Sequence, residues 1–347
     1  SMFTALVVTR LVFDFLVDRG WLQKLPMLAL VKGTRIDFLR YAKPAFAASW
    51  TLVLVGMGYG FYRGHDVLGV DFAGGDQLTL RYDESKEVSV DRIREVVTGL
   101  NIGDAQIQYQ RDPATGTKSL LVTAAYDAGE RLEQALASAF PEARFQRVQL
   151  EKVGAVVGKE NLDWAGIAVL LALFGILLYV AFRYEFSFAV GAVVALIHDM
   201  MMTMGWFFLS GRELSAPIVA AILTIIGFSI NDTIVIFDRI REDLRLGLRG
   251  TFRELMNHAL NRTLSRTIIT SGTVFLATMS LYLFGGGVIN DFAFTFLVGI
   301  LTGTYSSIFI ASALVLWWHK GQRPHLGSDV PLQEAAPAAA PAAAASR

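Results

Sequence analysis

Long apolar runs dominate the pattern of hydrophobic and polar positions along the chain. A helix that crosses a bilayer needs about 20 predominantly apolar residues. Five runs meet that length, at 162–182, 186–210, 214–237, 267–285 and 288–318. A sixth, Gly-containing run at 45–62 predicts a span over 43–62. It is flanked by Lys43 and Arg63 and contains aromatic residues, which are typical of a membrane surface. The pattern therefore predicts six membrane-spanning helices.

The composition agrees with a membrane protein and excludes several classes of site. The chain is 53% hydrophobic and 18% charged, against about 25% charged in soluble domains, and its mean hydropathy is +0.45. The 31 basic and 31 acidic side chains balance, so the charge does not point to nucleic acid as a partner. Cysteine is absent, which excludes disulfides, thiolate metal sites and a cysteine nucleophile. The five histidines lack metal-ligand spacing, so we expect neither a metal nor a cofactor.

The short loops predict the orientation in the membrane. Residues 1–44 carry seven Lys or Arg against three Asp, and the segment 238–266 carries seven Arg. Because cytoplasmic loops are enriched in basic residues, we expect both segments in the cytoplasm. The 1–42 segment is then a cytoplasmic amino-terminal piece, and 319–347 is a cytoplasmic tail with a disordered Ala/Pro-rich end. The segment 63–161 lies outside.

The outer segment 63–161 reads as a small α/β domain. Alternating or β-rich stretches predict strands at 77–82, 105–111, 119–126 and 143–153, and helical spacing predicts helices at 90–100 and 128–140. A turn is expected at 113–116. The order βαββαβ predicts a ferredoxin-like sandwich, and its scattered carboxylates do not form a catalytic pattern.

The segment 238–266 repeats apolar residues at helical spacing between its arginines. This spacing predicts one amphipathic helix that lies on the membrane face or against partner helices. A basic linker that only fixes the topology is the alternative.

Few ionisable residues lie inside the predicted spans, where they are costly and by default mark a functional site or an internal pair. Asp199 follows His198 near the middle of one run, and no Lys or Arg lies deep enough to neutralise it. Asp232 lies near the cytoplasmic end of the next run, and Arg266 opens the following one at a matching depth. We therefore expect Asp232 and Arg266 within salt-bridge reach, beside Asn231, and we expect Asp199 to exchange a proton near neutral pH.

Two interpretations of these residues stay open. A carboxylate that alternates between an arginine and a proton can couple proton flow to helix movement, but a permanent buried ion pair would only orient helices. His198 either relays a proton or forms a hydrogen bond with a neighbouring helix. The predicted polar cluster around Asp232 also contains Ser229, Ser265 and Thr267. Close helix crossings are expected at Gly227, Gly299 and Gly303.

Five stretches together resemble one protein family. They are GVDFAGG (69–75), EKVGAVVGKE (151–160), SINDTIVIFDRIRE (229–242), NRTLSRTIITS (261–271) and the 291–318 run that contains GTYSSIFIAS. In this order they resemble the SecF subunit of the bacterial SecDF preprotein translocase complex. The resemblance implies an RND-type half-transporter, a polytopic α-helical membrane protein with six spans and one periplasmic domain between the first and the second.

The resemblance also implies a function and a site. The family's proton-coupling Asp and Arg match Asp232 in SINDT and Arg266 in LSRT, and Asp199 is a second candidate, with Asn231 and His198 as further candidates. The implied activity is export of unfolded preproteins across the inner membrane, driven by the proton motive force without covalent chemistry. Whether protons or sodium ions are coupled stays open.

The implied partners follow from the same resemblance. They are SecD, or the SecD half of a fused chain, the SecYEG translocon, SecA indirectly, YidC, YajC and membrane lipid. Residues 1–42 look like the end of the last SecD helix and its cytoplasmic exit, from either a natural fusion or a truncation. Two other functions remain as alternatives: an RND-type exporter of small molecules or lipids, which would need a larger outer domain, and a passive translocon scaffold.

Overall fold

The computed structural model describes residues 4–21, 34–100, 102, 105–111, 116–285 and 287–324. The chain divides into two units, Ser1–Thr34 and Arg35–Arg347. In the first unit, a π-helical turn at Thr4–Val8 leads into α1, Thr9–Asp18. The predicted disordered end of the tail and most of the predicted turn at 113–116 lie outside the described residues.

A small four-stranded domain follows the first span of the second unit. After α2 (Ala42–Arg63), the elements are α3 (Val70–Ala73), β1 (Gly75–Arg81), α4 (Val90–Gly99), β2 (Gln106–Arg111), β3 (Lys118–Ala124), α5 (Gly129–Ala139) and β4 (Gln146–Val153). The strands pair antiparallel in the order β2-β3-β1-β4. This order, with one helix after β1 and one after β3, confirms the predicted ferredoxin-like sandwich.

One apolar layer holds this domain together. Successive side chains of a strand point to opposite faces of the sheet, so alternate residues reach the core. Leu78 and Leu80 of β1 lie opposite Val122 and Leu120 of β3, and all four are fully buried. Leu132 of α5 belongs to the same core. The period-two pattern of the strands therefore directs their apolar side chains into the core shared with the helices.

Five further spans follow β4. They are α6 (Ala155–Arg183), α7 (Phe186–Leu209), α8 (Ala216–Arg245), α9 (Phe252–Phe284), and a last helix of α10 (Gly287–Ser306), a π-helical turn (Ser307–Ala311) and α11 (Ser312–Trp318). With α2, the described residues thus form six helices that are long and apolar enough to cross a membrane, as predicted. Helix α7 lies at the centre of the bundle, because it packs against α2, α6, α8 and α10.

The Arg-rich segment 238–266 does not form the single amphipathic helix that its spacing predicts. Helix α8 runs through its start and α9 through its end, with a turn between them. In the turn, Gly247 and Gly250 have φ values of +62° and +125°, which glycine adopts without a steric penalty. Thr251 then starts α9 in a capping box with Glu254. The prediction was wrong because the apolar spacing continues across the turn, whereas the glycines and the capping box end one helix and begin the next.

Candidate ion-coupling site within the membrane

Asp199 lies near the middle of α7, and only 1% of its surface is exposed. Its Oδ2 accepts hydrogen bonds from the Ser229 hydroxyl of α8 at 2.6 Å and from the Ser306 hydroxyl of α10 at 2.7 Å. Its Oδ1 lies 3.2 Å from Nδ1 of His198. Both carboxylate oxygens therefore have partners, and three helices meet at this one side chain.

The His198 ring is fully buried beside Asp199. It lies edge-on to Trp50, with ring centroids 5.5 Å apart, and stacks with Tyr305 at 6.4 Å. Its Nε2 has no hydrogen-bond partner among the described residues. The Tyr305 hydroxyl donates instead to the Ala45 carbonyl of α2 at 2.6 Å. Within the described part of the chain, His198 thus bonds to the aspartate of its own helix rather than to a neighbouring helix.

Asp232 of α8 is also buried, at 4% exposure, but it has fewer partners. Its Oδ2 accepts a hydrogen bond from the Ser271 hydroxyl of α9 at 3.1 Å. The Ser271 oxygen lies 3.0 Å from the Thr304 hydroxyl of α10, which can donate to it or to the Ile300 carbonyl at 2.9 Å. In the described structure, a single hydroxyl therefore supports this carboxylate, at the end of a short chain of hydroxyl groups.

Arg266 approaches this aspartate without forming an ion pair. It is close enough for its charge to act on the Asp232 carboxylate, but its side chain is exposed and makes neither an ion pair nor a hydrogen bond with the described residues. Asn231 is exposed as well, and Ser229 donates to Asp199 instead. The polar cluster that the sequence predicts is therefore divided into two separate sites, one at Asp199 and one at Asp232. Asp232 and Arg266 do not form the predicted ion pair in the described structure.

The π-helical turn of the last span lies beside the Asp199 site and contacts α8. Turns of this type occur frequently at functional sites. Ser306 and Ser307 flank its start, and both are fully buried. Ser306 donates to the Asp199 carboxylate, and the Ser307 hydroxyl lies 2.8 Å from the Thr233 hydroxyl of α8. The last span thus binds its neighbours through two consecutive hydroxyl groups.

Glycines allow α10 to pack closely on α8. A Cβ added at Gly299 would lie 2.3 Å from Ile225, and one at Gly303 would lie 3.0 Å from Ser229. These contacts confirm two of the three predicted close crossings. Around Gly227 the space is open within 4 Å, so a close crossing is not formed there by the described residues.

Several hydroxyl groups in and beside the two aspartate sites were missed in the sequence. The available signal was the presence of polar residues inside apolar runs, where each hydroxyl needs a partner. Ser265 and Thr267, by contrast, do not bond to either aspartate within the described residues. The missed residues are Ser271, Thr304, Ser306 and Ser307.

These groups can bind and release a proton or exchange hydrogen-bond partners. Among the described residues, no three His, Asp or Glu side chains lie close enough together to hold a metal ion. Asp232 has one described hydrogen-bond donor, and Arg266 has no carboxylate partner in the described structure. The two side chains can therefore form an ion pair or separate. The arrangement therefore suits reversible ion binding linked to helix movement.

Comparison with known proteins places the chain in a family. The family model "Protein export membrane protein SecD/SecF, C-terminal" matches residues 132–321. The protein translocase subunit SecF of Calditerrivibrio nitroreducens is 42% identical over 294 residues, which are 83% of this chain and 96% of the relative. The chain belongs to the SecF family. The protein translocase subunit SecDF of Thermus thermophilus is 39% identical over 321 residues, which are 92% of this chain and 43% of that SecDF.

Solved SecDF structures share the fold. The crystal structure of SecDF from Thermus thermophilus, described as a translocon-associated membrane protein, matches with a TM-score of 0.81 at 37% identity. SecDF in a super-membrane-facing form matches with a TM-score of 0.68 at 38% identity. Each match covers 92% of this chain and 43% of the SecDF chain, so the chain spans less than half of those proteins. Six apolar helices and SecF membership indicate a multi-pass inner-membrane protein.

The SecF stretch GVDFAGG (69–75) joins the small domain to the start of α8. The Asp71 carboxylate accepts a hydrogen bond from the Ala216 backbone N–H at 2.8 Å. The Gly69 N–H donates to the Leu214 carbonyl at 2.8 Å, and a Cβ at Gly69 would lie 2.9 Å from that oxygen. The small domain is therefore attached directly to the helix that carries Asp232.

A carboxyl group outside the spans completes this junction. Gln108 of β2 donates to Glu213 Oε1 at 3.1 Å, and Glu213 Oε2 is buried without a partner among the described residues. Burial raises the pKa of the Glu213 carboxyl; the Arg63 guanidinium opposes this shift and the Asp66 carboxylate adds to it. Protonation of Glu213 therefore stabilises the junction, and this contribution is lost as the pH rises through the raised pKa.

Proposed function

We propose that this chain is the SecF part of a protein-export machine that uses the proton motive force for the late stage of translocation and for release of preproteins. Family membership supports the role in export. The work is vectorial and involves no covalent chemistry. A proton taken up at the Asp232 site changes the partner of that carboxylate, and the helices respond by moving.

The observation that carries the proposal is the incomplete neutralisation of Asp232. A buried carboxylate inside a span is costly unless a proton or a cation neutralises it. Ser271 supplies one hydrogen bond but no charge. Arg266 is near, exposed and without a carboxylate partner in the described structure. Two alternative neutralising agents, a proton and Arg266, are what a coupling site needs.

The attachment of the small domain supports transmission of this movement. Helix α8 carries Asp232, and its first turn is bonded to Asp71 of the domain. A tilt of α8 would therefore displace the domain that handles the emerging chain. Two SecDF structures of nearly equal identity to this chain, 37% and 38%, superpose on it with TM-scores of 0.81 and 0.68. The second of these structures is described as a super-membrane-facing form, and a proton-driven movement would need more than one such form.

We infer a topology with both termini in the cytoplasm and residues 63–161 in the periplasm. The basic segments 1–44 and 238–266 support it through the bias of cytoplasmic loops toward Lys and Arg. In this orientation the junction at Glu213 faces the periplasm, from which protons enter.

An exposed face of the bundle supports a SecD partner. Thr224, Gly227 and Asn231 form a stripe of small and polar residues on the open side of α8, and Arg266 is exposed on α9. Such residues in a span normally face other helices, because small residues allow close packing and polar ones find partners there. We propose that SecD, or the SecD half of a fused chain, covers this face. SecYEG, with SecA, YidC and YajC, completes the proposed assembly.

Export by inverted membrane vesicles that contain the complete SecDF complex tests the proposal. The wild type is compared with Asp232→Asn and Arg266→Ala, with and without a proton or sodium gradient. Asparagine keeps the size and the hydrogen bond to Ser271 but cannot titrate. We expect both variants to assemble and to lose the gradient-dependent part of export.

Asp163→Asn, the same chemical change at an exposed position of α6, is the matched control and should export normally. If Asp232→Asn retains gradient-dependent export, the coupling role of Asp232 is wrong, and Asp199 or the SecD half must carry the ion while this chain serves mainly as a scaffold. The ion whose gradient supports wild-type export is the coupled ion.

A further inference from the structure

An open cavity of about 270 Å³ lies where α6 and α8 end. It is far along α8 from the junction with the small domain and is separate from both aspartates described above. Its lining is polar except for one leucine: Arg183, Asp238, Arg241, Glu242, Arg245 and Leu246.

Two arginines of the cavity share one aromatic ring. The Arg183 and Arg241 guanidinium carbons lie 5.6 Å and 5.7 Å from the centre of the Tyr184 ring. Arg241 also donates a hydrogen bond to the Arg183 carbonyl at 3.1 Å, at the end of α6. The ring and the carbonyl hold both cations in place. Both arginines also line the cavity, so their positive charges add there and favour an anion.

The carboxylates of the cavity do not neutralise it. Glu242 is engaged by Arg239, with 2.6 Å between the guanidinium nitrogen and the carboxylate oxygen. Arg183, Arg241 and Arg245 form no ion pair with the described residues. Arg239 also pairs with Asp243 at 2.9 Å and is therefore shared by two carboxylates. The lining itself holds three arginines against Asp238 and Glu242, and the cavity carries a net positive charge of one.

The surroundings identify the source of the anion. Large aromatic side chains next to the cavity are exposed: Phe182 at 90%, Phe186 at 58% and Tyr179 at 55%. Exposed aromatic residues at the end of a span lie at the level of the lipid headgroups. Basic pockets between spans at this level bind lipid headgroups, and the planar guanidinium group matches phosphate oxygens in pairs.

We propose that Arg183, Arg241 and Arg245 bind the phosphate of an anionic phospholipid. The acyl chains of that lipid lie along α6 beside the exposed aromatic rings. The lipid thereby holds the end of α8, the helix that carries Asp232, at a fixed depth in the bilayer. This site is independent of ion coupling and does not require it.

Binding of phosphatidylglycerol to the purified full chain tests the site. Native mass spectrometry counts bound lipids in neutral detergent titrated with phosphatidylglycerol or phosphatidylcholine, and thermal unfolding reports the stabilisation. We expect phosphatidylglycerol to bind preferentially. The triple variant Arg183→Gln, Arg241→Gln, Arg245→Gln should weaken this binding about tenfold or more.

The matched control removes three basic charges from the same end of the bundle but outside the cavity: Arg249→Gln, Arg262→Gln, Lys320→Gln. It should bind the lipid as the wild type does. Equal losses in the two triple variants would show that only overall charge attracts the lipid and would overturn the site. Displacement of the lipid by millimolar inorganic phosphate would assign the cavity to the free anion and would overturn the lipid assignment. The single variant Arg245→Gln, at an exposed position, provides the same test if the triple variant does not fold.

Discussion

Two aspartates lie buried in the same bundle, yet their surroundings differ. Asp199 of α7 has the Ser229 and Ser306 hydroxyls on one oxygen and His198 on the other. Asp232 of α8 has one described donor, the Ser271 hydroxyl. Burial alone does not separate them, since their exposures are 1% and 4%.

The number of partners separates an anchoring carboxylate from one that can change state. Ser229 and His198 would be left buried and unsatisfied if that aspartate moved away, which is costly, whereas Ser306 could still donate to the Gly303 carbonyl at 3.2 Å. If Asp232 moved away, only Ser271 would lose its acceptor. Arg266 lies close enough to act as an alternative partner of the Asp232 carboxylate. The same residue type in one membrane domain can therefore serve two purposes, and the neighbouring helices decide which.

Alanine at the two positions should give the largest difference. Asp199→Ala removes the acceptor of three buried groups, and we expect the free energy of unfolding to fall by about 3 kcal/mol. Asp232→Ala removes the acceptor of one hydroxyl, for which about 1 kcal/mol is expected. Unfolding of the purified variants by denaturing detergent measures both. Equal losses would mean that the two sites do not differ in the way their hydrogen bonds indicate.

Removing one hydroxyl from each aspartate site tests the same difference between Asp199 and Asp232 with a smaller expected effect on the free energy of unfolding. Ser306→Ala loses one interhelical hydrogen bond, to Asp199, whereas Ser271→Ala loses its bond to Asp232 and the bond from Thr304. Both should lower the free energy of unfolding by about 0.6 kcal/mol, because Thr304 keeps the Ile300 carbonyl as an acceptor. Only Ser271→Ala should also shift the pH dependence of gradient-driven export, because that hydroxyl supports the carboxylate proposed to titrate. A shift of similar size in Ser306→Ala would count against the assignment of Asp232 and in favour of Asp199.

The smallest effect is expected at a third carboxyl group, Glu213, which lies outside the spans. Burial raises the pKa of Glu213, so the junction of the wild type should lose stability as the pH rises through that raised pKa. Glu213→Gln mimics the protonated form and should remove this slope. Hydrogen exchange at the junction, followed against pH, measures it. An unchanged slope in the variant would show that another group is responsible.

Much of the architecture followed from one-dimensional patterns. The six spans appear as apolar runs because a bilayer requires about 20 apolar residues in series. Two of the four strands, at 77–82 and 105–111, appear as alternation because a strand has a period of two. Asp199 and Asp232 stood out because hydrocarbon disfavours ionisable groups. Each of these signals lies within a short stretch of the sequence, so it does not depend on contacts between distant residues.

Pairing of side chains between helices did not follow from these patterns. The sequence predicted a cluster of Ser229 with Asp232, whereas Ser229 bonds to Asp199. Ser271 and Ser306 lie far along the chain from their aspartates, and nothing in their spacing shows which face of α9 or α10 they occupy. The turn near Gly250, which divides the Arg-rich segment, was missed for a related reason, since apolar spacing does not register a break in the backbone.

The sequence by itself thus determined that this is a six-span membrane protein with a ferredoxin-like domain and ionisable groups at depth, because hydropathy and periodicity are properties of neighbouring residues. Only the tertiary structure decided which carboxylate is fully bonded and which is not. That decision depends on helix rotation and on close crossings at Gly299 and Gly303, where a gap of one methyl group sets which hydroxyl reaches which oxygen.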